Sequence, residues 1–150
     1  MPKDKIIVSS ADSKYFDLIK ELFLSLKKNN IFNEYKFAIL NTGLNKDEYN
    51  YFRDNNVEVQ EAKWNVDVPK YKILGRDHLK TQVARAFLPD YFPNNKVYIW
   101  LDADLWLNDL QSFLLYEKGA LSNCLTITPQ SDRAYFNNAN VEWFLNFPIK

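Results

Sequence analysis

Lys96-Val97-Tyr98-Ile99-Trp100-Leu101-Asp102-Ala103-Asp104 is the most strand-like stretch of the chain, and it ends in two carboxylates. From Val97 to Leu101 the run is β-branched, aliphatic or aromatic without a polar interruption, which predicts a central strand covered on both faces. Side chains two apart on a strand point to the same face, so Asp102 and Asp104 are expected to present their carboxylates together at the strand's C-terminal rim. Left alone, those charges repel. A divalent cation removes the repulsion, and a hard ion such as Mn²⁺ or Mg²⁺ is typically held by one or two carboxylates together with substrate phosphates. The pair therefore predicts a diphosphate ligand. The competing reading is that either Asp merely caps the following turn.

Upstream, Lys5-Ile6-Ile7-Val8-Ser9-Ser10 reads as a short buried strand, with Asp12 or Ser13 as N-cap of the next helix. Tyr15, Leu18, Ile19, Leu22, Phe23 and Leu26 recur at steps of three and four, giving that helix one apolar stripe. Tyr35 to Leu40 is a second strand, and Asn45 with Glu48 three residues on resembles a capping box for a helix carrying Tyr49 and Phe52. Val57 to Val59 is a third, short strand. Lys63 to Gly75 has no clean period and reads as a long loop. A helix from Arg76 to Phe87 follows, with Leu79, Val83, Ala86 and Phe87 inward and with Pro89 and Pro93 closing it. Beyond the two carboxylates, Leu110 to Tyr116 is predicted helical, Leu121 to Thr128 a further strand, and Val141 to Phe147 an apolar, aromatic tail.

This alternation predicts an α/β fold with a largely parallel sheet, in three α/β/α layers. In open sheets of that class ligands bind at the carboxyl ends of the strands, where both Ser9 to Tyr15 and Asp102 to Asp104 are expected. The chain has 150 residues and no internal repeat or low-complexity linker, so residues 1–150 read as a single domain. Lys plus Arg and Asp plus Glu both number 19, a balance that disfavours nucleic-acid binding. A single cysteine, Cys124, excludes an internal disulfide, and its apolar neighbours predict a buried, inert thiol. Only Ile6, Ile7 and Val8 precede Ser9 as strong apolar residues, too few for a signal-peptide core. No segment approaches the roughly 18 apolar residues of a membrane span. Cytoplasmic residence is the default expectation, with a peripheral membrane association left open.

Phosphatases of the haloacid dehalogenase type also place Asp-x-Asp after an apolar strand, but their pattern continues to Thr or Val and lies near the chain start. Here Trp106 stands in that position and the motif is two-thirds along the chain. Instead, from about Ile6 to Gln130 the chain resembles glycosyltransferase family 8 and its GT-A relatives. Val8-Ser9-Ser10-Ala11-Asp12 followed by Tyr15 resembles the family's first strand and turn, which hold a uracil ring. The resemblance implies backbone contacts to the nucleotide from Ser9, Ser10 and Ala11, an acidic contact from Asp12 and stacking by Tyr15. An N-cap role for Asp12 and a core role for Tyr15 compete with this. Lys80-Thr81-Gln82-Val83-Ala84-Arg85 resembles the family helix whose Arg points toward sugar and diphosphate. That role passes to Arg85, with Lys80 as a second cation, although both side chains would also be at home on a solvated helix face. Asp102 and Asp104 inherit metal binding, Asp102 also lies toward the ribose, and Leu101 and Ala103 back the motif.

The resemblance implies transfer of a hexose from a nucleotide-diphosphate sugar, UDP-linked, to an acceptor hydroxyl on a carbohydrate or glycolipid. Mn²⁺ or Mg²⁺ would be the cofactor, with Arg85 and Asp104 at the reacting centre. The chain also departs from the family. Its members are longer and supply a third metal ligand, a His near the C-terminus, whereas His78 is the one histidine here and precedes the motif. The resemblance implies that the acceptor-binding half is largely absent from these residues, and Trp143, Phe144 and Phe147 are expected to need a partner or a further segment over them. A nucleotide-binding domain without turnover, or a plain interaction domain, are the alternative readings.

Overall fold

The structure, a computed structural model, describes residues 3–128. Four strands, β1 (Lys5–Asp12), β2 (Tyr35–Gly43), β3 (Glu58–Glu61) and β4 (Val97–Trp100), form one all-parallel sheet in the order β3-β2-β1-β4. Among the described residues five α-helices lie in the connections, α1 (Phe16–Lys28), α2 (Lys46–Asp54), α3 (Lys70–Ile73), α4 (Lys80–Ala84) and α5 (Leu88–Tyr91), and α6 (Leu110–Leu121) follows β4. The expected three-layer α/β/α architecture is the one observed.

Strand alternation divides the core into two layers. Ile7, Ala11, Phe37, Ile39, Val97 and Ile99 point to one face, where Ile19, Leu22, Phe23 and Leu26 of α1, Phe52 of α2 and Phe113 of α6 cover them. Ile6, Val8, Ala38 and Leu40 point to the other, beneath Ala84, Leu88 and Phe92. β1 pairs with β2 from Lys5↔Tyr35 and with β4 from Lys5↔Val97 to Val8↔Trp100. β1 and β2 are therefore the strands flanked on both sides. β4 is an edge strand among the described residues, which corrects the central position expected for it. Its apolar character reflects cover above and below, from Phe113 on one face and Phe92 on the other, and not a neighbour on each side.

Several local expectations change for identifiable reasons. Ser13–Tyr15 forms a 3-10 turn before α1. The tighter winding shifts the helical phase, so Tyr15 and Leu18 are exposed and Phe16 packs edge-on against Tyr51 and Phe52 instead. The helix expected over 76–87 is broken into the 3-10 turn Asp77–Leu79, α4, a second 3-10 turn Arg85–Phe87, and α5. Ala84 and Leu88 are its buried residues, while Ala86 is exposed. Pro89 does not close this segment. It sits in the first turn of α5, where a missing N–H leaves no bond unmade. The loop at 63–75 holds the single turn α3 and is tied down where Lys63 N donates to Tyr91 Oη (2.9 Å), which in turn donates to Asn65 Oδ1 (2.7 Å).

The capping box of α2 is present, with Asn45 Oδ1 accepting from Asp47 N and Glu48 N. No strand forms at 121–128. Leu121 closes α6, Asn123 adopts a left-handed conformation (φ 58°), and Cys124 N returns to Gly119 O (3.2 Å). The following run finds no ladder among the described residues, and Cys124 is exposed, against the expectation of a buried thiol. The aromatic tail at 141–147, with Trp143, Phe144 and Phe147, lies outside the described residues.

One ionic contact ties the amino end of β1 to α6. Lys5 pairs with Glu117, whose side chain is 8% exposed, and with Glu34 (3.1 Å). Burial alone would raise the Glu117 carboxyl, but the Lys5 ammonium paired with it and the neighbouring Tyr35 hydroxyl outweigh that and hold the group below its ordinary 4.5. A depressed carboxylate contributes stability above its unfolded pKa and loses it as pH falls through the folded value. Glu117→Gln should therefore cost about 2 kcal/mol at pH 7. In urea titrations the gap to the parent should shrink as pH drops below 4.5. A gap unchanged down to pH 3 would mean that packing, not charge, ties the two elements.

Candidate functional site

Parallel pairing brings the carboxyl ends of all four strands to one edge. β1 and β4 are neighbours there, and Leu101 N donates to Val8 O (3.0 Å), extending their ladder one residue past β4. Asp102 and Asp104 do not stand on the strand itself, as the spacing argument had them. They lie in a turn beyond it, closed by Leu105 N donating to Asp102 O (3.1 Å). Ala103, between them, is buried at 7% exposure in the α1/α6 layer, and Leu101 is half-buried against the same cluster. The two carboxylates thus project from a short turn whose middle residue anchors it in the core.

Asp102 is held by two donors. Arg85 Nη2 and Trp100 Nε1 both reach its Oδ1, at 2.7 and 2.8 Å. The guanidinium also lies over the Trp100 ring, 4.6 Å from its centroid. Tyr98 and Trp100 face the α4/α5 layer, and Asp102 continues that register, which is why it meets Arg85 just past α4. Arg85 and Asp102, singled out separately in the sequence, are brought into direct contact. Trp100 joins the site beyond the residues expected from the sequence, and its i, i+2 relation to Asp102 is the readable signal for it. Asp104 is exposed and makes no hydrogen bond among the described residues.

At the end of β1, Asp12 Oδ1 accepts from Lys14 N (3.0 Å) and Tyr15 N (3.2 Å), so this carboxylate caps the 3-10 turn. Tyr15 is 49% exposed and does not serve the core, which leaves its ring available at this edge. Ser9 and Ala11 are buried, Ser10 is half-buried, and Ser9 Oγ has no hydrogen-bond partner among the described residues. Ser13 Oγ binds Gly43 O (3.0 Å) and Glu48 (2.5 Å), tying the β1 turn to the end of β2 and the start of α2. Gly43 has φ 144°, a backbone conformation that L side chains rarely adopt, while a Cβ there would meet Asp12 Cβ at 3.4 Å, an ordinary contact, so a substitution is strained by the backbone and not by crowding of the capping residue.

The remaining sequence candidates are placed elsewhere. Lys80 is paired with Asp77 (2.8 Å) one turn away, and His78 is exposed on the preceding 3-10 turn. Among the described residues no group of three or more His, Cys, Asp or Glu side chains is arranged to hold a metal ion. The donors at this edge are the two carboxylates of Asp102 and Asp104. Such a set suits a hard divalent ion that takes its other ligands from phosphate and water. A concavity of about 280 Å³ lined by Phe23, Phe32, Phe37 and Val57 opens at the opposite, amino-terminal end of the sheet, away from these residues. No helix among the described residues is long and apolar enough to cross a membrane.

Neither a protein-family model nor a curated protein matches the sequence. Among solved structures the fold is shared with the galactosyltransferase LgtC, both in complex with donor and acceptor sugar analogs and as an active-site mutant. Each comparison gives a TM-score of 0.51 at 21% identity, over 73% of this chain and 41% of that one. The chain thus spans less than half the length of these structures. At this identity the likeness carries the fold: a Rossmann-like GT-A arrangement with an all-parallel sheet.

The cap and any ligand role of Asp12 are separable. Asp12→Ala should lose about 1 kcal/mol in urea unfolding through its two orphaned backbone donors, while Asp12→Asn should keep most of that stability. Equal losses in both variants would contradict the capping geometry.

Proposed function

We propose that this chain is the donor-binding part of a glycosyltransferase that moves a hexose from a UDP-linked sugar to an acceptor hydroxyl on a carbohydrate or glycolipid. The observation that carries the reading is the direct contact of Arg85 with the first carboxylate of Asp102-Ala103-Asp104 at the carboxyl edge of a parallel sheet. That edge is where such sheets bind ligands. The shared fold with a galactosyltransferase solved with donor and acceptor sugar analogs supports the same assignment.

In this reading Asp102 and Asp104 hold Mn²⁺ or Mg²⁺, which when bound offsets the charge of the diphosphate. Arg85 supplies fixed guanidinium donors to the same phosphates, a geometry suited to oxyanions. The bond from the anomeric carbon to the diphosphate oxygen breaks, the acceptor oxygen forms the new bond to that carbon, and its proton passes to the departing diphosphate. Arg85 stabilises the charge left on the departing diphosphate. Asp12, Tyr15 and the β1 end at Ser9, Ser10 and Ala11 border the base. Lys80 is bound to Asp77 and contributes charge only from a distance. A second reading is donor binding without turnover, with Asp102, Asp104 and Arg85 serving nucleotide recognition alone.

Two variants test the assignment by calorimetry in saturating Mn²⁺. Asp104→Asn should weaken UDP on the order of tenfold or more while leaving the thermal unfolding midpoint unchanged. Arg85→Ala should weaken UDP by about tenfold and uridine by less than about twofold, because the lost charge faces phosphate. Parent-like UDP binding by Asp104→Asn would remove the metal assignment. Equal weakening of UDP and uridine by Arg85→Ala would give Arg85 a packing role.

A further inference from the structure

We infer that Arg85 is a built-in counter-ion for Asp102, occupying the carboxylate that the cation needs and released toward phosphate only when the cation takes its place. The inference rests on the donor-site reading above and deepens it. Two neighbouring carboxylates in one turn repel each other, and a protein without bound cation must offset that charge or leave the turn strained. Here a guanidinium does so, with Arg85 Nη2 at 2.7 Å from Asp102 Oδ1.

The contact is built to be exchanged. Its two side chains remain 36% and 53% exposed, so the pair is worth no more than a surface salt bridge and breaks at little cost. Trp100 serves both states. Its ring lies under the guanidinium, 4.6 Å from centroid to Cζ, and its Nε1–H holds the same Asp102 oxygen at 2.8 Å. When Arg85 leaves, the indole N–H still orients the carboxylate. Arg85 Nε is buried and has no hydrogen-bond partner among the described residues, so the guanidinium is only partly satisfied where it rests. Trp100 is thus a positioning residue, and Arg85 couples the cation to the diphosphate: the ion that frees the arginine also makes it available to the next ligand.

The consequence is a reversal of sign between two ligands. Removing Arg85 should strengthen binding of the bare cation and weaken binding of the nucleotide. The test is titration of MnCl₂ alone, without nucleotide, followed by the paramagnetic resonance signal of free Mn²⁺, in the parent, Arg85→Gln, Arg85→Lys and Lys80→Gln. Arg85→Gln should bind Mn²⁺ roughly three- to tenfold more tightly than the parent, the scale of one exposed ion pair plus a cation–π contact. Arg85→Lys, the variant closest to the parent in charge and length, should fall between the two. Lys80→Gln makes the same change of charge without touching Asp102 and should tighten Mn²⁺ by less than about twofold. Unchanged or weaker Mn²⁺ binding by a folded Arg85→Gln, or equal tightening by Lys80→Gln, would overturn the counter-ion role while leaving the donor site standing. Absence of Mn²⁺ binding from parent and variants alike would overturn the counter-ion role, whereas the donor site, whose cation also draws ligands from phosphate, would fall only if UDP too failed to bind with Mn²⁺ present.

Discussion

Parallel pairing of β1 between β2 and β4 is the constraint from which the rest of the arrangement follows. β1 is buried on both faces, so its alternate residues commit the chain to two separate cores, Ile7 and Ala11 toward α1 and α6 and Ile6 and Val8 toward α4 and α5. Parallel strands need crossover segments, which cover the faces, and they leave all carboxyl ends on one edge. The register Val8↔Trp100 then sets the phase in which β4 leaves the sheet. A slip of one residue would send Trp100 and Asp102 to the α6 side, away from Arg85, and would expose Ile99 and Ala103. The hydrophobic requirement of the core and the placement of the polar site are the same requirement.

In the proposed reading, the groups at that edge serve folding and ligand chemistry together. Asp12 stabilises the turn that it would use to meet a base, and Asp102 draws Arg85 onto Trp100. Such contacts are individually weak, which suits a site that must rearrange around a charged ligand. The firm contacts lie elsewhere. Ala103 anchors the motif turn in the core, and the half-buried Lys5–Glu117 pair fastens the far end of β1 to α6. Stability is thus concentrated away from the edge at which exchange is proposed.

Much of this was legible in the residues. The apolar run before Asp102, the strand at Ile6 to Val8, the capping box at Asn45 and Glu48, and the alternation of elements were enough for a parallel α/β sheet with Asp102, Asp104 and Asp12 at its carboxyl edge. What escaped has physical causes. An apolar strand reports what lies above and below it but not beside it, so composition does not separate β4, an edge strand among the described residues, from the interior β1 and β2. The segment from Arg76 to Tyr91 kept helical composition while 3-10 turns changed its phase, which moved the buried positions to Ala84 and Leu88. The run from Leu121 to Thr128 had strand composition without a partner among the described residues, since composition cannot supply a ladder. The Arg85–Trp100–Asp102 contact joins residues 15 and 17 apart through tertiary packing, with only the Trp100–Asp102 spacing visible in advance.

The central claim is that the carboxyl edge is a cation-dependent diphosphate site. It is tested most directly by calorimetric titration of UDP into this chain at fixed ionic strength, once with Mn²⁺ and once with a chelator in its place. Binding with Mn²⁺ that disappears with the chelator is the predicted result; the absence of binding in both conditions, or equal binding in both, would contradict it.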